Sequence, residues 1–378
     1  MRKLLTVSGL ILTLFLLLSA AGCQGNRAGR IVFLGPREGR YGNYIYSMNP
    51  DGSDRVKLAP WNPRMMPYHS IWSAGGKTLA YMDSDNDSDR YWLAVVDGDG
   101  QNRRRLLEMT DLKPHSIAMS PVGKTVVLSL DSTRVSRIET PQGGAVHVEI
   151  TENYDKDLFT VDVKTEKLKR LTDTPDIKEL WPAYSPNGKL ISFIGQIDTE
   201  NLKGVPQEVY VMDADGSNRI HLAHHAEGLG FHFAELRWSP DGTKIAYSYL
   251  NVLVGDSEDY YDIFVIDVKK GNVTNITQSP YIVDSEPEWS PDSRKIAINS
   301  GALKQPYRFR TIIMDIYDGS ATEPDQGLSS WTPDGKGLIF VNPVNVFELM
   351  VVDADGKNPR SLAVSKDIRI SMPFWLSE

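Results

Sequence analysis

The sequence has 378 residues, with 41 Lys and Arg against 49 Asp and Glu, a formal net charge of -8, 30 Gly, 22 Pro, seven His and a single Cys. An acidic balance without any cationic block excludes nucleic acid as the default partner, because affinity for a phosphate backbone needs clustered cations that release counterions. One Cys excludes an internal disulfide framework and a Cys-rich zinc site, so stability has to come from packing and the Cys needs an explanation of its own.

At the N-terminus Arg2 and Lys3 precede an apolar stretch from Leu4 to Leu18, followed by Ser19, Ala20, Ala21, Gly22 and Cys23. A charged start, an apolar middle and a small-residue exit make an export signal. Because the small residues end on the only Cys, the segment resembles the lipobox of bacterial lipoproteins, with Ala20 standing where Leu is commoner. The resemblance implies a signal peptide over 1–22, lipid on Cys23 as the mature N-terminus, and a polar tether over 23–30. An ordinary cleaved signal and an uncleaved anchor are the alternatives, the latter short for a bilayer span. Loss of Arg2 and Lys3 takes the charge from -8 to -10.

Beyond the tether two short motifs alternate. The runs Ile31–Phe33, Ile45–Met48 and Val56–Leu58 read as three strands. An aromatic followed by Ser-Pro-Asp-Gly, or a variant of it, then recurs at Trp72, Tyr184, Trp238, Trp289 and Trp331, with a weaker copy that has Met119 in place of the aromatic. Ser at the first corner, Pro with its preset φ at the second and Gly at the fourth are what a type I turn favours. A second motif, a β-rich run closing on an Asp/Gly turn, lies between the copies, as in Val209–Gly216 and Leu349–Gly356. Each repeat therefore predicts strand a, turn, strand b, variable loop, strand c, turn and strand d, which is one blade of a β-propeller. The steps between aromatics, ending at Trp375, are 47, 65, 54, 51, 42 and 44 residues. Met372–Trp375 is a strand a with no blade after it, and the first three strands lack a strand a before them. The sequence predicts an all-β, seven-bladed propeller over 31–378, with four-stranded antiparallel blades and a closing blade made from both termini. Six blades with frayed ends is the alternative.

Trp238-Ser-Pro-Asp-Gly followed by Lys244-Ile-Ala-Tyr, paired with Val211-Met-Asp-Ala-Asp-Gly-Ser-Asn, resembles the WD-like propeller repeat of the TolB family. Related repeats occur in propellers of prolyl-oligopeptidase-type peptidases and oligogalacturonate lyases. The resemblance covers 31–378. It implies an envelope propeller working through protein contacts, although TolB is soluble, six-bladed and preceded by a small α/β domain. The peptidases would imply a Gly-x-Ser-x-Gly nucleophile elbow, which this sequence lacks. The lyases would imply a histidine-rich manganese site.

Length variation concentrates in the b–c and d–a loops, so the face that they form is the expected functional one. The insert from Asp131 to Asp157 alternates like a hairpin, either a partner-binding arm or a hairpin folded over its neighbours. Asp83, Asp85, Asp87 and Asp89 space oxygens as calcium wants, or form a solvated acidic loop; an EF-hand-like loop would need Gly at Ser88 and Glu at Ala94. His69, His115, Trp181, Glu235 and Glu286 precede strand-a aromatics and should rim the channel, where the imidazoles and carboxylates could bind metal or move protons, or simply be hydrated. His224, His225 and His232 have metal-like spacing around a Gly-containing loop, or are surface residues. Tyr260, Tyr261, Tyr307, Arg308 and Arg310 could anchor a partner or pack as ordinary strand residues. No cofactor is expected. The expected function is a membrane-anchored, non-enzymatic module binding an envelope protein or glycan. Its competitor is a metal-assisted polysaccharide lyase or hydrolase at the channel mouth.

Overall fold

The computed structural model describes residues 29–36, 43–61, 72–73, 76–84, 90–110, 116–131, 137–139, 146–149, 156–175, 177–197, 207–225, 236–251, 260–278, 282–302, 309–324, 329–365 and 369–376. Residues 1–28, with Cys23, lie outside them.

β1 (Ile31–Pro36), β2 (Asn43–Met48) and β3 (Val56–Trp61) pair antiparallel in order. β4 (Thr78–Ser84), β5 (Arg90–Asp97) and β6 (Arg104–Thr110) do the same, with Trp72 bridging to Leu79 on the inner side. β7 (Ile117–Met119) and β8 (Thr125–Asp131) are followed by the hairpin β9 (Arg137–Glu139) and β10 (Val146–Glu149). The chain then returns through β11 (Lys156–Asp162) and β12 (Leu168–Arg170) to the sheet of β7 and β8. The hairpin itself folds back, laying β10 parallel to β6 as a further strand of the preceding sheet. Of the two readings of the insert, the one folded over its neighbour describes these strands.

β13 (Ile177–Tyr184), β14 (Leu190–Ile197), β15 (Gln207–Asp213) and β16 (Ile220–His225) form another four-stranded meander. Two more follow, β17 (Arg237–Trp238), β18 (Lys244–Asn251), β19 (Tyr260–Asp267) and β20 (Val273–Asn275), then β21 (Ile282–Trp289), β22 (Lys295–Ala302), β23 (Phe309–Asp315) and β24 (Ala321–Thr322). These two are joined by one parallel bridge, Tyr261 to Val283. β25 (Ser329–Trp331), β26 (Gly337–Val341), β27 (Glu348–Asp353) and β28 (Arg360–Val364) make the last meander. β29 (Ser371–Trp375) then pairs antiparallel with β1, placing Trp375 opposite Ile31.

The turns behave as their chemistry predicts. At Ser239–Gly242 the Gly242 N–H donates to Ser239 O over 2.8 Å, and the Ser239 hydroxyl donates to Asp241 and accepts the Lys244 N–H. Gly242 has φ 70, the left-handed conformation that this corner demands. Ser293 takes the same corner at φ 60 without being glycine. Its hydroxyl accepts the Asp241 N–H of the preceding repeat over 3.0 Å, so a strained residue ties two neighbouring turns together.

The middle strands carry the core. β8 and β11 each bury five consecutive residues, because their sheets are covered on both faces by neighbouring sheets. Close approach governs Gly98, where a Cβ would sit 2.1 Å from the Gly76 carbonyl oxygen. First strands contact one another in succession, β7 with β13, β13 with β17, β17 with β21, β21 with β25 and β25 with β29, and β7 also touches β4, the strand next to Trp72. Trp72 and Leu376 share a core cluster, which carries the contact from β29 onward to the second sheet.

Candidate functional site

The succession of first strands sets up a repeated lock. The Trp289 indole N–H donates to Arg237 O over 2.9 Å, and that of Trp331 donates to Glu288 O over 3.1 Å. The Trp238 indole donates to Ala183 O and to the Ser192 hydroxyl. In each case the acceptor carbonyl belongs to the residue just before the aromatic of the previous repeat. One motif thus places large aromatic rings at the same level of successive sheets and uses their polar edges to hold the sheets together.

Between these rings lies a cavity of about 440 Å³, lined by Trp238, Trp289, Trp331, Phe374 and Trp375, by prolines of the turns, and by two charged residues, Arg237 and Glu288. Pro240, Pro291 and Pro333 place it at the end of the strands that carries the short turns, opposite the variable loops. Arg237 and Glu288 each stand immediately before a strand-a Trp, a position that sequence reasoning passed over. Glu288 Oε1 accepts the Ser330 hydroxyl at 2.8 Å and the Trp331 backbone N–H at 3.1 Å. Desolvation by the surrounding protein pushes its carboxyl up to about 7, against the pull of those two bonds and of Arg237. The fourth indole of the cavity differs from the other three: Trp375 Nε1 is buried with no hydrogen-bond partner.

Of the expected rim residues, Glu286 and Trp181 are described. Both have positive φ, 52 and 49, both precede a Pro, and both sit where the pairing of the first strand with the second breaks register. These are bulges, which re-aim side chains locally. Glu286 touches solvent, yet desolvation raises its carboxyl pKa against Arg237. His69, His115, Glu235, His232, Tyr307 and Arg308 lie outside the described residues. His224 and His225 belong to β16, opposite Glu208 and Gln207 in the pairing register. Among the described residues no three His, Cys, Asp or Glu side chains are grouped to hold a metal.

Tyr260 and Tyr261 are each 7% exposed within β19, which leaves little of either ring for a partner. Arg310 is paired with Glu323 at 2.5 Å, with both side chains about half exposed. Asp83 pairs with Arg105 at 3.2 Å, while Asp85, Asp87 and Asp89 lie outside the described residues.

A second cluster of acids lies between β11–β12 and β13. Glu179 is 0% exposed and accepts the hydroxyls of Thr172 and Thr174, the latter at 3.0 Å, with Arg219 at 3.3 Å. Burial pushes its carboxyl up to about 7 despite those partners, and neighbouring Asp157 adds to the rise. Asp157 is in turn held by the Arg170 guanidinium.

No family model matches the chain. The uncharacterized peptidase YuxL of Bacillus subtilis is 25% identical over 183 residues, 45% of this chain and 25% of that protein, so the chain spans well under two thirds of this relative. Among solved structures, TolB from Acinetobacter baumannii aligns over 96% of this chain and 85% of its own at 17% identity, with a TM-score of 0.47. The β-propeller domain of the Trilobed protease from Pyrococcus furiosus aligns over 90% of this chain and 97% of its own at 13% identity, with a TM-score of 0.58. Such low identity conveys architecture alone. Together with the meanders and their touching first strands, the likeness to the Pyrococcus furiosus propeller domain identifies the fold as a β-propeller.

Proposed function

We propose that the chain is a lipid-anchored, extracytoplasmic β-propeller of seven blades, similar in its repeats to TolB, acting as a non-enzymatic module that binds a protein or glycan of the cell envelope. Support for seven blades comes from reading β17–β20 and β21–β24, which share a single bridge, as two blades and β29 with β1–β3 as the last. The anchor rests on the small residues that end at Cys23.

The observation that carries the binding role is how the cavity's polar groups are spent. Three indole N–H groups donate into the wall, and Glu288 Oε1 is occupied by Ser330 and Trp331. The hydroxyl nearest that carboxylate, Ser330, is itself buried and accepts the Trp375 backbone N–H, so it is poorly placed to attack a substrate. What a ligand meets is apolar ring surface with two charged heads, which favours holding over reacting.

Palmitate labelling should mark the wild-type chain, and Cys23→Ala should release it from the membrane fraction. A pull-down from solubilised envelope, with the purified protein tested in parallel on polysaccharides, addresses the rest. Turnover of a polysaccharide with no captured partner would sink the non-enzymatic reading, and an unlabelled, freely soluble wild type would sink the anchor.

A further inference from the structure

We infer that the cavity between Trp238, Trp289, Trp331 and Trp375 is a saccharide site, taking a pyranose ring of a glycan chain. This rests on the binding-module reading above and narrows it to one class of ligand.

The first argument is what the wall cannot do. A peptide bound in extended form needs a row of backbone donors and acceptors. Here the carbonyls of Ala183, Arg237 and Glu288, one from each successive first strand, already accept indole N–H groups. The Thr332 hydroxyl is likewise turned to Asp334 and the Gly337 carbonyl, at 2.6 and 3.1 Å. A peptide would therefore leave much of its own backbone unpaired, which is costly for each buried group.

The second argument is what the wall offers. Aromatic and proline rings supply flat apolar area, and the charged heads are few, Arg237 and Glu288. A pyranose is complementary to that division: its C–H faces lie on rings, while its hydroxyl rim reaches charged groups. Each hydroxyl donates and accepts, so it can meet a guanidinium and a carboxylate at neighbouring positions. At about 440 Å³ the space is within the ordinary range for small-ligand sites.

The test is titration of the full-length protein, in detergent, with oligomers of N-acetylglucosamine, of glucose and of galacturonate, followed by tryptophan fluorescence and calorimetry. A proline-containing peptide library serves as the other arm. At least one sugar series should give saturable binding. Glu288→Gln and Trp375→Ala should each weaken it five-fold or more, the second because it removes an aromatic ring from the wall. Melting curves for each variant separate lost binding from lost folding, and Arg237→Met provides a further variant away from the closing strand. No saturable response to any of the three sugar series overturns the inference. So does sugar binding that all three variants leave within two-fold. Peptide binding without sugar binding overturns the inference yet leaves the binding module standing, whereas cleavage of a bound sugar removes the non-enzymatic reading instead.

Discussion

Glu179 and Glu288 are both first-strand carboxyls pushed up to about 7 by burial, yet their surroundings differ. Glu179 is sealed, with both oxygens engaged by Thr172, Thr174 and Arg219 and with a second acid, Asp157, held close by Arg170. Glu288 has one oxygen engaged by Ser330 and Trp331 and borders open space lined with aromatic rings. A perturbed carboxyl alone therefore does not mark a site in this molecule. At Glu179 it reports a structural joint between sheets; at Glu288 the same shift coincides with room for a ligand.

The largest effect should come from breaking the cavity side. Trp331 is 3% exposed, and it donates to Glu288 through both its backbone N–H and its indole. Trp331→Ala removes a buried ring and a lock between sheets, and should cost about 3–5 kcal/mol in chemical denaturation. It should also open Glu288 to water, so that its titration, followed by carboxyl NMR, falls back toward the ordinary range. A Glu288 that still titrates near 7 in this variant would mean that desolvation by the wall is not its cause.

The sealed acid can be separated from the open one by pH. A carboxyl raised from 4.5 to about 7 on folding binds its proton more tightly in the native state. Stability from this source is therefore complete below the unfolded pKa, lost as pH rises from about 4.5 to 7, and flat above. For fully buried Glu179 the loss amounts to about 3 kcal/mol; for Glu288, with partial contact with solvent, it is smaller. Urea midpoints between pH 5 and pH 8 should fall for the wild type, and Glu179→Gln should remove more of that slope than Glu288→Gln. Equal slopes in the two variants would erase the contrast between joint and cavity.

The turns beside the cavity offer a smaller test. Ser293 keeps a positive φ and pays for it by accepting the Asp241 N–H from the neighbouring repeat. Ser293→Ala retains the strain and loses the bond, for about 1–2 kcal/mol in a thermal or urea melt. Ser293→Gly relieves the strain while losing the same bond and should come out closer to neutral. If the alanine variant were the more stable of the two, the tie between turns would carry no weight.

Much of the fold was legible because its signals are local. Ser239-Pro240-Asp241-Gly242 closes its turn with its own side chains, and the lone strand at Met372–Trp375 could be matched to three strands that lacked a partner. The hairpin at β9 and β10 was legible as alternation, but not its parallel pairing with β6, since that partner is distant in sequence and nothing local encodes it. The cavity was less legible still. The residue before each strand-a landmark is Ile71, Ala118, Ala183, Arg237, Glu288, Ser330 or Phe374 in turn. A position that varies where the fold repeats looks like noise in one sequence, although such variation is what lets a symmetric scaffold carry a single site. The Xaa-Pro pairs at Trp181-Pro182 and Glu286-Pro287 were a usable signal, because both mark the bulges that re-aim the rim.

The smallest effect should come from a charge in neither setting. Arg310 and Glu323 meet at 2.5 Å, but both side chains are about half in solvent, where Coulomb attraction is screened and ordering two long side chains costs entropy. Arg310→Ala should shift stability by less than about 1 kcal/mol, with a difference that shrinks further at high salt. Arg219, by contrast, opposes the desolvation of a fully buried carboxylate. Arg219→Ala should drive the Glu179 pKa higher still and steepen the loss of stability between pH 5 and 8, whereas Arg310→Ala leaves that slope unchanged. The two arginines make ion pairs of similar kind, and only burial of the acid separates them. A matching pH response in both variants would show that the seal around Glu179 does not hold in solution.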